Sequence, residues 1–159
     1  MKVSNAFFII LLNMTTEILI ARLNALQEGT PPQFGIMTAQ HMVEHLILTL
    51  KLSSGKITIP EFEPSEKQLS QKEALLNGGF PFPRGIKAPG LPDTLLDLRF
   101  PNLEKATEAL VNSWKAYQQV FIDHPEKETM HPRFGKLTFE EWEKFHAKHI
   151  EHHFSQFGI

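Results

Sequence analysis

Residues 138 to 157 read TFEEWEKFHAKHIEHHFSQF, with four histidines in the eight positions from His146 to His153. Thr138 and Glu141 form a capping box, Leu137 stands where it can staple onto Trp142, and Gly158 closes the stretch, so the pattern predicts a helix over its whole length. At about 100° per residue, His146, His149 and His153 fall within roughly 60° of one another, in the arc that also carries Phe139, Trp142, Ile150 and Phe157. The histidines therefore belong to the buried face. An imidazole in apolar surroundings needs a hydrogen-bond partner or a metal for its ring nitrogens. His149 and His153, spaced i, i+4, can aim two nitrogens at one ion.

A helix with so apolar a face needs others to cover it, and the chain supplies them. Thr15 or Thr16 caps a first helix through TEILIARLNALQEG, with Ile18, Leu19, Leu23 and Leu26 at helical spacing and Gly29 at its end. Thr38 caps a second, AQHMVEHLILTLKL, closed by Ser53, Ser54 and Gly55. Its polar strip is Gln40, Glu44 and Lys51, which makes Glu44 a solvated carboxylate and leaves nearly two thirds of the circumference apolar. Such a helix is central, or it offers a homodimer interface. A third long helix runs from about Leu103 to Ile122, capped by Asn102, with Leu103, Ala106, Leu110, Trp114, Tyr117 and Phe121 on one side. Four amphipathic helices without an alternating strand pattern predict an all-α four-helix bundle over one domain, residues 1 to 159. Only Lys56 to Ile59 reads as extended.

Between the second and third long helices, residues 55 to 101 are rich in Gly and Pro (PEFEP, GGFPFPRG, APGLP), with one short helical segment from Glu66 to Leu76. A loop of this length in a compact domain usually covers a site. Phe80 and Phe82 need apolar cover, so the part from Gly78 to Pro92 is expected over the mouth of a pocket.

The chain has 159 residues, 42% hydrophobic and 21% charged, with a formal net charge of -2. That balance offers no basic field for nucleic acid, and Lys and Arg are scattered rather than clustered. The absence of cysteine excludes disulfides, thiolate catalysis by the protein and Cys-based zinc or iron–sulfur sites. A metal site must therefore use His, Asp, Glu and water, which suits zinc or nickel and also accommodates iron, manganese or copper. The apolar run from Ala6 to Leu12 is too short to span a bilayer and no A-x-A-like cleavage site follows it, which reads as a cytoplasmic protein without a membrane partner. Residues 1 to 13 are read as a lead-in peripheral to the fold, as a misplaced start upstream of Met14, or as the end of a longer fused chain.

A bundle metal site is assembled from facing helices, so the pair on the last helix needs a third ligand from another. His45, mid-way along the second helix and beside Leu48 and Leu52 on the wheel, supplies it. The resulting set, His45, His149 and His153, leaves a position for water or substrate, as a catalytic metal requires. The competing reading makes these ordinary core histidines bonded to carbonyls or carboxylates. His41 and His146 also point inward; either could serve as a ligand instead, but they are read first as supporting or packing residues. His152 is read as solvent-facing or at an interface, His124 and His131 as loop residues with His131 near the pocket mouth, and Tyr117 as core. Protons would compete for such a site below about pH 6, near the ordinary imidazole value of about 6.5.

The segments GIMTAQHMVEHLI and HPRFGKLTFEEWEKFHAKHIEHHFSQFG resemble the DinB-like superfamily, which includes the YfiT-like proteins. The second reproduces that family's HP-x-x-G lead into the last helix and its H-x-x-x-H followed by Gln. The resemblance implies a four-helix bundle with up-down-down-up connectivity and a divalent metal held by His45, His149 and His153. It also implies a small-molecule substrate, with a low-molecular-weight thiol as one cosubstrate, because family members include bacillithiol- or mycothiol-dependent S-transferases and a maleylpyruvate isomerase. Ile36 and Met37 stand where the family commonly has a tryptophan, and the Pro-rich loop is unusual, so the departures fall on substrate specificity. Two functions follow as expectations: a metal-dependent transferase or hydrolase that activates a thiol or water, or a non-enzymatic bundle that binds a small ligand or a partner.

Overall fold

Each helix begins where a side-chain oxygen takes up a backbone N–H that the helix itself leaves unpaired. In a computed structural model, which describes residues 14 to 86 and 89 to 159, Thr15, Thr38, Ser65, Asn102 and Thr138 each accept the N–H three residues on. They open α1 (Thr16–Leu23), α2 (Ala39–Ser53), α3 (Glu66–Asn77), α4 (Leu103–Asp123) and α5 (Phe139–Gln156). Ser65 with Gln68 and Thr138 with Glu141 are reciprocal capping boxes. The reading of residues 1 to 13 as a lead-in lies outside the described residues.

The chain is mostly helical. The buried side of α4 is Leu103, Ala106, Leu110, Trp114, Tyr117 and Phe121, the set its spacing predicts. It packs against α2 and α1, while α5 packs against α2 and α3. Lys148 of α5 donates to the Leu75 carbonyl of α3. One contiguous core joins these faces, with Leu46, Leu50, Trp114, Trp142 and Phe154 among its fully covered side chains. Among the described residues, no helix is long and apolar enough to cross a membrane.

Three sequence expectations are corrected. The first helix stops at Leu23 rather than near Gly29, because Ala25 and Leu26 bond back to Arg22 and Leu23, three residues earlier, and tighten the chain out of the α-helix. Leu26 nevertheless remains buried. The extended segment is not at 56 to 59; the sheet is a hairpin of β1 (Thr129–His131) and β2 (Gly135–Leu137), antiparallel, with Thr129 opposite Leu137 and His131 opposite Gly135. Gly135 closes it at φ +76, where a Cβ would also meet Pro64 Cδ at 3.0 Å. The hairpin ties two helix ends together. Trp142 Nε1 donates to Thr129 Oγ1 at 2.8 Å, and that hydroxyl donates to the Ser53 carbonyl at 2.8 Å.

Glu44 is the third correction. It is 8% exposed, and its carboxylate accepts the backbone N–H of Arg99 at 2.8 Å, that of Phe100 at 3.2 Å and the Gln40 amide at 3.0 Å. Gln40 in turn donates to the Phe100 carbonyl at 2.8 Å. What reads as a polar strip on α2 therefore holds the end of the long loop. Elsewhere that helix packs against α4, α5 and β1, while Leu48 and Leu52 on its apolar face stay only part-buried.

Candidate metal centre

His45 projects from the middle of α2, and His149 and His153 project from successive turns of α5 toward it. The Nε2 atoms of His45 and His149 lie 3.0 Å apart, and those of His153 and His149 lie 3.1 Å apart. All three ligand atoms fall within 4.8 Å of one another. Nitrogens held about 2.0–2.1 Å from one ion stand about 2.8–3.4 Å apart, across the range from octahedral to tetrahedral angles. The cluster thus lies close enough to bind a metal ion, and its nitrogen donors do not choose among zinc, nickel, iron and manganese.

Proton accounting favours a cation here. Gln156 Nε2 donates to the Phe34 carbonyl at 2.8 Å, so its Oε1 faces His153 Nδ1, 3.0 Å away, and must accept that N–H. The neutral His153 ring then has a bare lone pair on Nε2, turned to His149. Burial pushes the His153 pKa down to about 3, with the charge of His45 adding to it and the Gln156 bond opposing it. His45 is lowered to about 4 by burial and then by His152, and His149 is held well below the usual range by burial and then by His153 and His45. At neutral pH three uncharged rings therefore meet at two N···N contacts, and His149 Nδ1 is buried without a partner. A single N–H on His149 Nε2 cannot point at both neighbours. A shared cation satisfies all three lone pairs at once. These shifts also move proton competition well below the value near pH 6 that free imidazoles would give.

Gln156 is a site residue that the wheel alone did not single out. Its position three residues beyond His153 was the available signal. The Phe34 carbonyl reaches it because Gly35 adopts φ +78, and a Cβ at Gly35 would stand 2.6 Å from Gln156 Nε2. The Gln33 N–H also donates to the Gln156 carbonyl at 2.7 Å. Removing the bond that fixes a ligand's tautomer typically costs 10- to 100-fold in metal affinity. Gln156→Leu is expected to weaken metal binding by about that factor in competition with a chromophoric chelator, and unchanged affinity would contradict the tautomer argument.

A cavity of about 990 Å³ opens beside the three rings, at the upper end of the range for small-molecule sites. The loop lines the cavity as expected, but of its two phenylalanines only Phe82 gains apolar cover. Phe82 packs on His149 with centroids 5.2 Å apart and on Phe145 at 6.0 Å, while Phe80 is 70% exposed on the cavity wall. The far end of the loop is held by Glu44 and by His41, whose Nε2 lies 3.0 Å from the Leu96 carbonyl.

The remaining histidines divide between the cavity and the core. His152 is half-buried, not simply solvent-facing: its ring lies 5.4 Å from Phe34 and 5.1 Å from Phe82. Its pKa is lowered by burial and by the Arg84 charge, against a bond to the Phe82 backbone. His131 lines the cavity and is buried, stacked on Phe134 at 4.6 Å, with Nδ1 accepting the N–H of Arg133 and of Phe134. His146 is fully in the core, 2.9 Å from Ser53 Oγ, and is not brought to the cluster. Tyr117 is likewise core and donates to Glu143 at 2.7 Å. Burial raises the pKa of both the Tyr117 hydroxyl and the Glu143 carboxyl. His124 sits at the C-terminal cap of α4, away from the cavity. Comparison of the chain with protein families, with curated proteins and with solved structures gives no match in any of the three.

Proposed function

We propose that α1, α2, α4 and α5 form a four-helix bundle of the DinB-like kind, up-down-down-up, and that the protein is a metal-dependent transferase or hydrolase acting on a small molecule. The observation that carries the reading is the convergence of three uncharged imidazole Nε2 atoms on the wall of a large, mainly apolar cavity. His45, His149 and His153 would hold the ion, and imidazole donors of this kind accommodate zinc, nickel, iron or manganese. A divalent ion there would supply Lewis acidity, lowering the pKa of a thiol cosubstrate or of water. The chain's own side chains do the rest. Gln156 keeps His153 in the ligating tautomer, Phe82 and Phe145 shield His149 from solvent, and the open side of the cluster faces the cavity where an electrophile would lie. With no cysteine in the chain, a thiol nucleophile has to arrive as a cosubstrate.

The test is a paired screen of thiol addition to small electrophiles and of ester and amide hydrolysis, run on metal-loaded and chelator-treated protein. Turnover is expected in one screen, abolished by chelation and by His153→Gln, with the helical circular dichroism of the variant retained. Silence in both screens from protein carrying stoichiometric metal would contradict the enzyme reading and favour a ligand-binding module.

A further inference from the structure

The chain contains four arginines, and their placement is uneven. Arg22 pairs with Glu151 at 2.5 Å and also donates to the Ile159 carbonyl. The other three, Arg84, Arg99 and Arg133, all line the cavity, and among the described residues none of them pairs with a carboxylate. Among the described residues, the lysines seen in ion pairs with carboxylates are Lys72, Lys105, Lys136 and Lys144, none of which lines the cavity, whereas Lys51 does line it. Of the carboxylates on the wall, Glu44 is saturated by backbone and amide donors, Asp93 is engaged in an interaction of its own, and Asp97 is exposed on the outer loop.

Arg84 is linked to the three histidines through a chain of ring contacts. Its guanidinium lies 3.9 Å from the Phe34 ring centroid; Phe34 lies 5.4 Å from His152, and His152 4.9 Å from His153. Stacking restricts the side chain while leaving its N–H groups in the guanidinium plane free to form a bidentate contact with an anion. Arg133, at the hairpin end, spends one N–H on Gln71 Oε1 at 3.1 Å and keeps the others.

The space between these cations is apolar and long. The cavity follows α2 from His41 to Leu52, about 16 Å of helix rise. Its mouth carries Ile36, Phe80 and Ile86, which are 68%, 70% and 50% exposed. A small polar molecule would leave this surface wet, and a neutral lipophile would leave the guanidinium groups without a use. We infer that the cavity takes an amphipathic organic anion: an extended apolar body lying along α2, with a carboxylate or similar group bound by Arg84 beside the three histidines. The inference deepens the functional reading above and relies on it only for the chemistry at the reacting end.

Titration calorimetry with decanoate, decan-1-ol and decyltrimethylammonium, on chelator-treated and on metal-loaded protein, tests it. Decanoate is expected to bind one site per chain at least about tenfold more tightly than the alcohol, and the cation most weakly, also when the metal has been removed. Arg84→Gln should erase most of the decanoate advantage and leave the alcohol unchanged; Lys115→Gln, on the exposed side of α4, should change neither. Equal affinity for the three probes, no saturable binding, or a decanoate preference that survives the combined Arg84→Gln, Arg99→Gln and Arg133→Gln variant would overturn the inference. Because the decisive comparison is made without metal, a failure of the metal site would show separately, as absent metal content alongside an intact decanoate preference.

Discussion

His149→Ala is expected to weaken metal binding by at least about a hundredfold and to leave the purified variant essentially metal-free. Binding free energies of roughly 10–16 kcal/mol for four-ligand zinc sites correspond to about 3–4 kcal/mol per ligand, or 10²- to 10³-fold in affinity. His149 is also the geometric centre of the cluster, since both N···N contacts run to its Nε2. His152→Ala is the matched control. That ring meets His153 edge-on at 4.9 Å but contributes no atom to the cluster, so its loss should change metal affinity by no more than a few-fold. Equal losses from the two variants would mean that burial of the segment, and not ligation, explains the effect.

Protein stripped of metal is expected to unfold on mild acidification, with a midpoint near pH 5. In the unfolded chain each imidazole protonates near 6.5. In the fold, burial lowers His45 to about 4, lowers His131, His146 and His153 to about 3, and holds His149 well below its usual range. Between the two sets of values the unfolded state binds more protons. Each group therefore contributes stability that is fully present above about pH 6.5 and is lost as pH falls toward the folded value, at about 1.4 kcal/mol per pH unit. Several such groups together exhaust the 5–15 kcal/mol stability of an ordinary domain within one or two pH units. Bound metal should push the transition to lower pH, because it favours the native state and withholds three of the five histidines from protons. Circular dichroism followed against pH, with and without a strong chelator, measures this, and superimposable acid transitions would contradict it.

What was legible in the sequence were the features with a strong local signal. The caps at Thr38, Asn102 and Thr138 stand where an oxygen-bearing side chain precedes a periodic apolar run, and the helix starts follow them. The trio of His45, His149 and His153 came from helical phase alone, because a period of 3.6 fixes which side chains share a face. Phase does not say what covers a face. Glu44 lay on the polar side of its wheel and is buried because residues 99 and 100 return over it, a pairing across 55 positions that no local pattern encodes. The hairpin was missed for a similar reason: strands of three residues are too short to show alternation, and the hydroxyl of Thr129 is anchored outside the hairpin, by Trp142 and by the Ser53 carbonyl 76 positions away. Gln156 was visible as a residue but not as a partner, since its role depends on the backbone turn at Gly35.

Elemental analysis of untagged protein, purified from metal-replete medium, tests the central claim most directly. About one divalent ion per chain is predicted for the native protein and none for the triple variant in which His45, His149 and His153 are all alanine. Native protein devoid of metal, or stoichiometric metal retained by the triple variant, would contradict the assignment.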